Sequence, residues 1–205
     1  MTKQRTFSVG ITGASGSIYA LRTIGALLET GAHLEIVFSD YGRRLFMDEL
    51  GEDAKVDRLM DRLVDRYGEP VRRGTFAIHS NKDMGAAIAS GSHPCEGMVI
   101  VPCSMKTLAG VANGLSRSLI ERAADVILKE RRRLVLVPRE TPMSLPQLRN
   151  MVAAAEAGAV ILPAMPAFYQ KPRTIDDLAD FMAGRILNLL GFEQRLFTPW
   201  KGEDA

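Results

Sequence analysis

The sequence predicts an α/β protein, a single domain built on a doubly wound, mostly parallel sheet with helices on both faces. Three observations carry that prediction. Apolar runs of strand length recur along the chain, stretches with helical periodicity separate them, and the runs are nearly continuous in apolar residues rather than alternating. Strand and helix in alternation imply parallel pairing through crossover helices. A strand covered on both faces has no polar side to alternate with. The 205 residues, set against roughly 150 per domain, make one domain over 1–205 the simplest organisation and leave enough chain for a substantial core.

The elements follow in order. FSVGIT at 7–12 is the first strand, and Ile18, Leu21, Leu27 and Leu28 give the next segment a helical inner face. LEIVFS at 34–39 is the second strand. Residues 51–70 place Val56, Leu59, Met60, Leu63, Val64 and Tyr67 at helical spacing, which predicts one amphipathic helix that interrupts the strand rhythm as an elaboration. Strands return with GMVIVPCS at 97–104, LVLVPR at 134–139 and AVILP at 159–163. Ile120, Ala123, Ala124, Ile127 and Leu128 predict a helix over 118–131. Ser144 with Gln147 forms a capping box and Gly158 sits where a C-terminal cap belongs; Thr174, Asp177 and Gly191 repeat the arrangement at the last helix. Residues 192–205 remain as a C-terminal arm, either a tail or a contact onto a neighbouring subunit.

Composition removes several classes of function. Lys and Arg number 26 against 24 Asp and Glu, a net charge of +2, and 46% of the residues are hydrophobic. Global disorder is excluded, and so is a dedicated nucleic-acid binder, which needs a clear cationic excess on one face. KERRR at 129–133 is the one local basic run. No apolar run approaches the roughly 18 residues of a membrane span. The N-terminal MTKQRTFSVGITGASG reads as a strand running into a turn, with neither a signal peptide nor an anchor. Cys95 and Cys103 are too few for a disulfide framework, and no Cys/His cluster has metal spacing. A reducing, cytoplasmic setting without a bound metal is expected. His33, His79 and His93 match no motif and read as surface or internally satisfied side chains.

Four motifs can carry chemistry. TGASGS at 12–17 follows the first strand and opens a helix, so its small residues allow close backbone approach and its helix N-terminus offers N–H groups to a phosphate. It is not G-x-G-x-x-G, and Phe38 and Ser39 stand where a dinucleotide site has its acidic residue, which favours a mononucleotide. A plain tight turn is the alternative. PCSMKT at 102–107 again joins a strand end to a helix start, on the sheet edge where this architecture binds ligands. There Ser104, Lys106 and Thr107 are either phosphate or ring contacts, or a helix cap with a solvent lysine. From Arg122 to Pro142 the chain is dense in charge, and Arg139-Glu140 falls at a strand tip on the same edge, whereas Arg131, Arg132 and Arg133 suit a solvated helix end. PAMPAFYQKPR at 163–173 is a stiff loop whose Phe168 and Tyr169 form a pocket wall or pack beneath the loop.

TGASGS, ASGS at 89–92, PCSMKTLAGVANG, LIERAADVILKERRRLVLVPRETP, GAVILPAMPAFYQKP and the closing LFTPW together resemble the flavin prenyltransferase family of the UbiX/Pad1 type. The resemblance spans nearly the whole chain apart from about 51–75 and is most specific over 119–142. It implies a flavodoxin-like or Rossmann-like fold. It further implies transfer of a dimethylallyl group from dimethylallyl monophosphate to N5 and C6 of reduced FMN, without a metal. The product, prenylated FMN, would pass to a UbiD-type decarboxylase. Also implied is a homo-oligomer, commonly a dodecamer, with sites at subunit junctions.

Carried over position by position, the resemblance places the flavin on Gly13, Ala14, Ser15, Ser39, Ser104, Met105, Lys106, Thr107 and Arg139. It places the donor phosphate on Tyr169 and Arg185, with Arg122, Lys129, Arg139 and Glu140 around it. Cations and one proton donor stabilise a departing phosphate in a dry pocket, and Glu140 beside several cations suits proton transfer. Ser15 with Glu49 would relay the proton lost from C6, and Trp200 would offer a π face to the allylic cation. Leu50 departs from the family's Glu-Thr pattern, so Glu52 rivals Glu49 as the relay. Arg185 has a structural alternative in a salt bridge to Asp176 or Asp177, and Trp200 one in tail packing. Two other functions compete. A flavin-dependent cysteine decarboxylase lacks support because the expected His after the second strand and the Asn-bearing loop are missing. A non-catalytic FMN-delivery module would leave the second set of cations without a purpose.

Overall fold

The computed structural model describes residues 4–51 and 56–200. Its strands are β1 (Thr6–Ile11), β2 (His33–Phe38), β3 (Thr75–Ser80), β4 (Gly97–Cys103), β5 (Arg133–Pro138) and β6 (Val160–Ile161). Its α-helices are α1 (Ser17–Glu29), α2 (Asp40–Leu50), α3 (Val56–Tyr67), α4 (Met105–Ala112), α5 (Leu119–Lys129), α6 (Leu145–Glu156) and α7 (Ile175–Leu189). The strands form one sheet in the order β3-β2-β1-β4-β5-β6, with every neighbouring pair parallel. That order reverses between β1 and β4, which is the switch point at which doubly wound sheets bind ligands.

The continuous apolar strands behave as expected. Val99 and Val101 of β4 join a core with α1, α3 and α7, whereas Met98 and Ile100 join a second core with α4 and α5. Gly10 is where α5 approaches β1: an added Cβ would stand 3.1 Å from Ile120 Cγ2. Ser39, Ser104 and Ser118 cap α2, α4 and α5, accepting from the N–H groups of Gly42, Thr107 and Glu121. Both expected capping boxes form, at Ser144/Gln147 and Thr174/Asp177. Gly158 and Gly191 take positive φ, +105° and +79°, just past their helices.

Two expectations change. The sheet has six strands where five were expected, because TFAIHS forms β3 at the sheet edge. Its ends are exposed and its centre only half-buried, so it lacks the continuous apolar run that marks the others. Helix α3 is therefore no interruption of the rhythm. With α2 and a 3-10 turn over Glu69–Arg73 it forms the crossover from β2 to β3, burying Leu59 and Leu63 against the first core.

Residues 192–200 fold back on their own chain. Phe197 lies 4.9 Å from Phe181 of α7 and Trp200 lies 5.4 Å from Tyr169, ring centre to ring centre. Residues 201–205 of the expected arm, and Glu52, lie outside the described residues.

Candidate active site

The carboxyl ends of β1, β2, β4 and β5 deliver their loops to one edge. Thr12 ties two of them together: its hydroxyl donates to Pro102 O at 2.9 Å and accepts from Ser104 N at 2.7 Å. Two adjoining cavities open there, of about 480 and 260 Å³. Gly13 and Ser104 line both. Ser39, Lys106 and Thr107 line the larger one; Ala14, Ser15, Met105, Arg139 and Glu140 line the smaller. Every residue expected to touch a flavin thus faces one of these two connected spaces. Arg139 ties together the wall of the smaller cavity, its Nε donating to Ser15 O at 3.2 Å.

Gly13 has no room for a side chain, since an added Cβ would stand 2.6 Å from Tyr41 Cβ. Close approach of this turn to α2 keeps the cleft narrow. Tyr41, 72% exposed, forms the outer wall. Asn81 is a lining residue that sequence reasoning missed. It sits one residue beyond β3, its Oδ1 accepts from Ile120 N at 3.1 Å, and its carbonyl accepts from Leu119 N at 2.9 Å. A polar residue at the ligand end of a strand was the available signal, and it is legible only once β3 is recognised.

The N-terminus of α1 corrects an expectation. Its N–H groups are not open to a phosphate, because the Glu49 carboxylate accepts from Gly16 N at 3.0 Å and from Ser17 N at 2.8 Å. Partial burial works to raise the carboxyl's pKa, but the N–H groups of Ser17 and Gly16 and the hydroxyl of Ser15 outweigh it and hold Glu49 below the ordinary carboxylate range. A carboxylate there repels a phosphate; Glu49 does not line the larger cavity, where Lys106, Thr107 and Ser118 stand. Lys106 is itself committed: its ammonium lies 2.7 Å from the buried Glu121 carboxylate. Cys103 is fully buried, and burial pushes its thiol far above its ordinary value.

The remaining site residues do not all assemble in one chain. Glu140 is half-buried and its Oε1 accepts from Thr141 N at 3.0 Å, but among the described residues it has no ion-pair partner. The expected cations are elsewhere. Arg122 pairs with Asp125 at 2.7 Å and donates to Ala89 O, and Lys129 pairs with Glu130 at 2.6 Å. The reason is direction: α5 runs back against the strands, so its last residue, Lys129, lies at the opposite edge of the sheet from Glu140. Tyr169, Trp200 and Phe181 form an edge-to-face aromatic group. Arg185, one turn beyond Phe181 on α7, is exposed and has no ion-pair partner among the described residues. Asp176 pairs instead with Arg66, and Asp177 caps its own helix. Among the described residues no group of His, Cys, Asp or Glu has the arrangement of a metal centre.

A family model described as Flavoprotein matches residues 1–187. The flavin prenyltransferase UbiX of Halalkalibacterium halodurans is 46% identical over 201 residues, covering 97% of this chain and 94% of that protein. The chain belongs to the flavin prenyltransferase family. Solved relatives place its fold with that family as well. The crystal structure of AnUbiX (PadA1) in complex with FMN and dimethylallyl pyrophosphate has a TM-score of 0.86 and 38% identity, covering 98% of this chain and 99% of that one. The dodecameric FMN-dependent UbiX-like decarboxylase from Escherichia coli O157:H7 has a TM-score of 0.84 and 37% identity, covering 96% and 100%. The FMN-dependent cysteine decarboxylase TvaF, at 15% identity and a TM-score of 0.52, shares only the fold.

Proposed function

We propose that this flavin prenyltransferase joins the dimethylallyl group of dimethylallyl monophosphate to N5 and C6 of reduced FMN, and that a UbiD-type decarboxylase receives the product. The observation that carries the reading is the joined pair of cavities at the switch point, lined by every expected flavin residue, with Glu140 at the margin of the smaller one. AnUbiX (PadA1), with FMN and a dimethylallyl ester in one crystal structure, supports it. That ester is the pyrophosphate, so both esters belong in the test.

Reduced FMN supplies the nucleophilic nitrogen and carbon. The chain's own residues hold and move protons around them. Gly13, Ala14 and the Ser104–Thr107 turn would hold the ring, and Arg139 fixes the Ser15 backbone through its carbonyl. Glu49 stays ionised at neutral pH and accepts from the Ser15 hydroxyl, so a proton released at the ring passes through Ser15 to a base already prepared for it. Glu140, which has no ion-pair partner among the described residues, is suited to protonate a departing phosphate. Tyr169 and Arg185 supply the donor-phosphate contacts, and the Trp200 face beside Tyr169 favours an allylic cation.

Lys129, at the far end of α5, reaches such a site from another subunit. The exposed apolar side chains Leu145, Leu148 and Val152, at helical spacing on α6, and Met165 and Phe168 nearby in sequence suit burial between copies of the chain. We infer a homo-oligomer, a dodecamer as in the Escherichia coli relative, acting in the cytoplasm. No described helix is long and apolar enough to cross a membrane.

The test is anaerobic incubation with reduced FMN and either ester, without added metal, followed by mass analysis of the released flavin. A flavin heavier by one prenyl unit is the expected product. Unchanged FMN with binding intact would overturn the reading in favour of delivery or decarboxylation. Mixing inactive Lys129→Ala and Glu140→Gln subunits then tests sharing: partial recovery of turnover is expected, and none would place both residues in separate roles.

A further inference from the structure

The sheet face that packs on α4 and α5 is apolar along β4 and β5, but polar where β2 and β3 lie. Glu35 of β2 is buried there, 7% exposed, beside Ser8 of β1 and opposite Ala77 of β3. Three imidazoles converge on it, each through Nε2. His79 lies 2.5 Å from Oε2; His93 and His33 lie 3.3 and 3.5 Å from Oε1. His33 Nδ1 is engaged by Thr75 Oγ1 at 2.7 Å. His93 Nε2 is buried and makes no hydrogen bond, with the Glu35 carboxylate 3.3 Å away. Among the described residues no lysine or arginine pairs with Glu35. A buried carboxylate without a cation is costly, and among the described side chains within ion-pair distance of Glu35 only imidazoles can supply a positive charge. The other groups facing the cluster are Ser8 with the Cys95 thiol, and Arg132, which donates to the carbonyl of His93.

His93 ends a turn, 89–93, whose carbonyls hold two guanidiniums. Arg122 Nε donates to Ala89 O at 3.1 Å, and Arg132 donates to Gly91 O at 2.7 Å and His93 O at 2.9 Å. Gly91 also seats the Lys129–Glu130 pair: an added Cβ would stand 2.8 Å from Lys129 Nζ and closer still to Glu130 Oε1. The turn is the common support of Arg122 and Lys129.

We propose that His93, seated on Glu35 with His33 and His79, is a positioning residue for Arg122 and Lys129, and that protons on this cluster set how firmly the 89–93 turn presents them to the donor phosphate. The inference rests on the reading that these two cations hold that phosphate. A protonated imidazole in the cluster gives Glu35 its ion-pair partner and draws His93 inward. With all three rings neutral the carboxylate has no cation and the turn loosens.

The experiment measures, in the assembled enzyme with reduced FMN, the KM for dimethylallyl monophosphate as a ratio of variant to unsubstituted protein, so that ionisation of the donor itself cancels. His93→Gln is expected to raise this KM about five-fold near pH 6, the ratio that roughly 1 kcal/mol sets, and to match the unsubstituted enzyme near pH 8.5. FMN affinity stays unchanged. Glu35→Gln removes the charge without the shape and is expected to give the same pH-dependent ratio, which keeps the test open if His93→Gln does not assemble. A ratio that does not vary with pH, or one that moves together with FMN affinity, overturns the proposal. So does a ratio that a chelator reproduces and zinc reverses, which would make the cluster a metal site. Arg122→Ala separates the two readings. If it leaves the donor KM unchanged, the donor-site assignment fails; if it raises KM while His93→Gln does not, only the present inference fails.

Discussion

Replacing Glu49 by Gln removes a charge that caps a helix and, in the proposed mechanism, accepts a proton. The carboxylate occupies two N–H groups at the start of α1, at 3.0 and 2.8 Å, and takes the Ser15 hydroxyl as well. Glutamine keeps one acceptor oxygen and loses the charge. The loss of a cap of this kind costs about 1 kcal/mol, and the site's exposure to solvent keeps it from being larger. In a chain of this length that is a fall of about 2–4 °C in Tm. The pH dependence has a definite sign. Because the folded-state pKa of Glu49 lies below its ordinary value, its stabilisation is present above the unfolded pKa and is lost as pH falls through the folded one. Thermal unfolding at one protein concentration, at neutral pH and again in acid, should therefore show a gap between the two proteins that closes on acidification. An equal gap at both, or none at neutral pH, would refute the capping argument. Turnover by Glu49→Gln should fall by about 10²-fold or more with FMN affinity retained.

Gly13→Ala should weaken FMN binding by at least about ten-fold, because the new Cβ displaces Tyr41 and with it the outer wall of the cleft; quenching of flavin fluorescence measures it. Leu63→Ala, at a fully buried α3 position packed into the first core, should cost about 2–5 kcal/mol in urea unfolding and leave FMN affinity in the folded fraction intact. Both cysteines are buried, and the Cys103 thiol is held far above its ordinary pKa. A thiol reagent should titrate neither in the native protein at neutral pH and both after unfolding; a fast-reacting native thiol would contradict the placement of β4.

The strongest sequence signals were those in which one residue type has one physical use. Ser104, Ser144 and Thr174 each precede a helix by one position and each caps it. The residues expected to touch the flavin cluster because small and polar residues directly after an apolar strand in this architecture have one place to go. What stayed hidden depended on partners distant in sequence. Thr75–Ser80 has no apolar run of its own and becomes a strand through its register with β2. Asn81 inherited that silence. Glu49 over the α1 N-terminus was legible only through family resemblance, because nothing local to 45–50 announces a contact 32 residues upstream. His79 and His93 match no motif because the carboxylate that joins them to His33 is supplied by β2, distant from both in sequence.

The separation of Glu140 from Lys129 follows from topology. A doubly wound sheet collects the loops after its strands at one edge and the ends of its crossover helices at the other. β5 spans Arg133 to Pro138 between those edges, and at about 3.3 Å per residue it keeps them roughly 17 Å apart. A single copy of such a fold can therefore cradle a flavin and one anion, but a second set of cations on a helix C-terminus faces away from that cradle. Phosphate departure beside a flavin needs both sets together. Two routes exist: new loops long enough to carry cations across the sheet, or a second copy whose helix end meets the first copy's strand end. The loop after β5 reaches α6 within seven residues, Arg139 to Leu145, which gives the Glu140 loop itself no length for the first route. The exposed apolar stripe on α6 and the exposed Phe168 are what the second route requires, so the proposed assembly and the proposed catalysis would draw on the same surface.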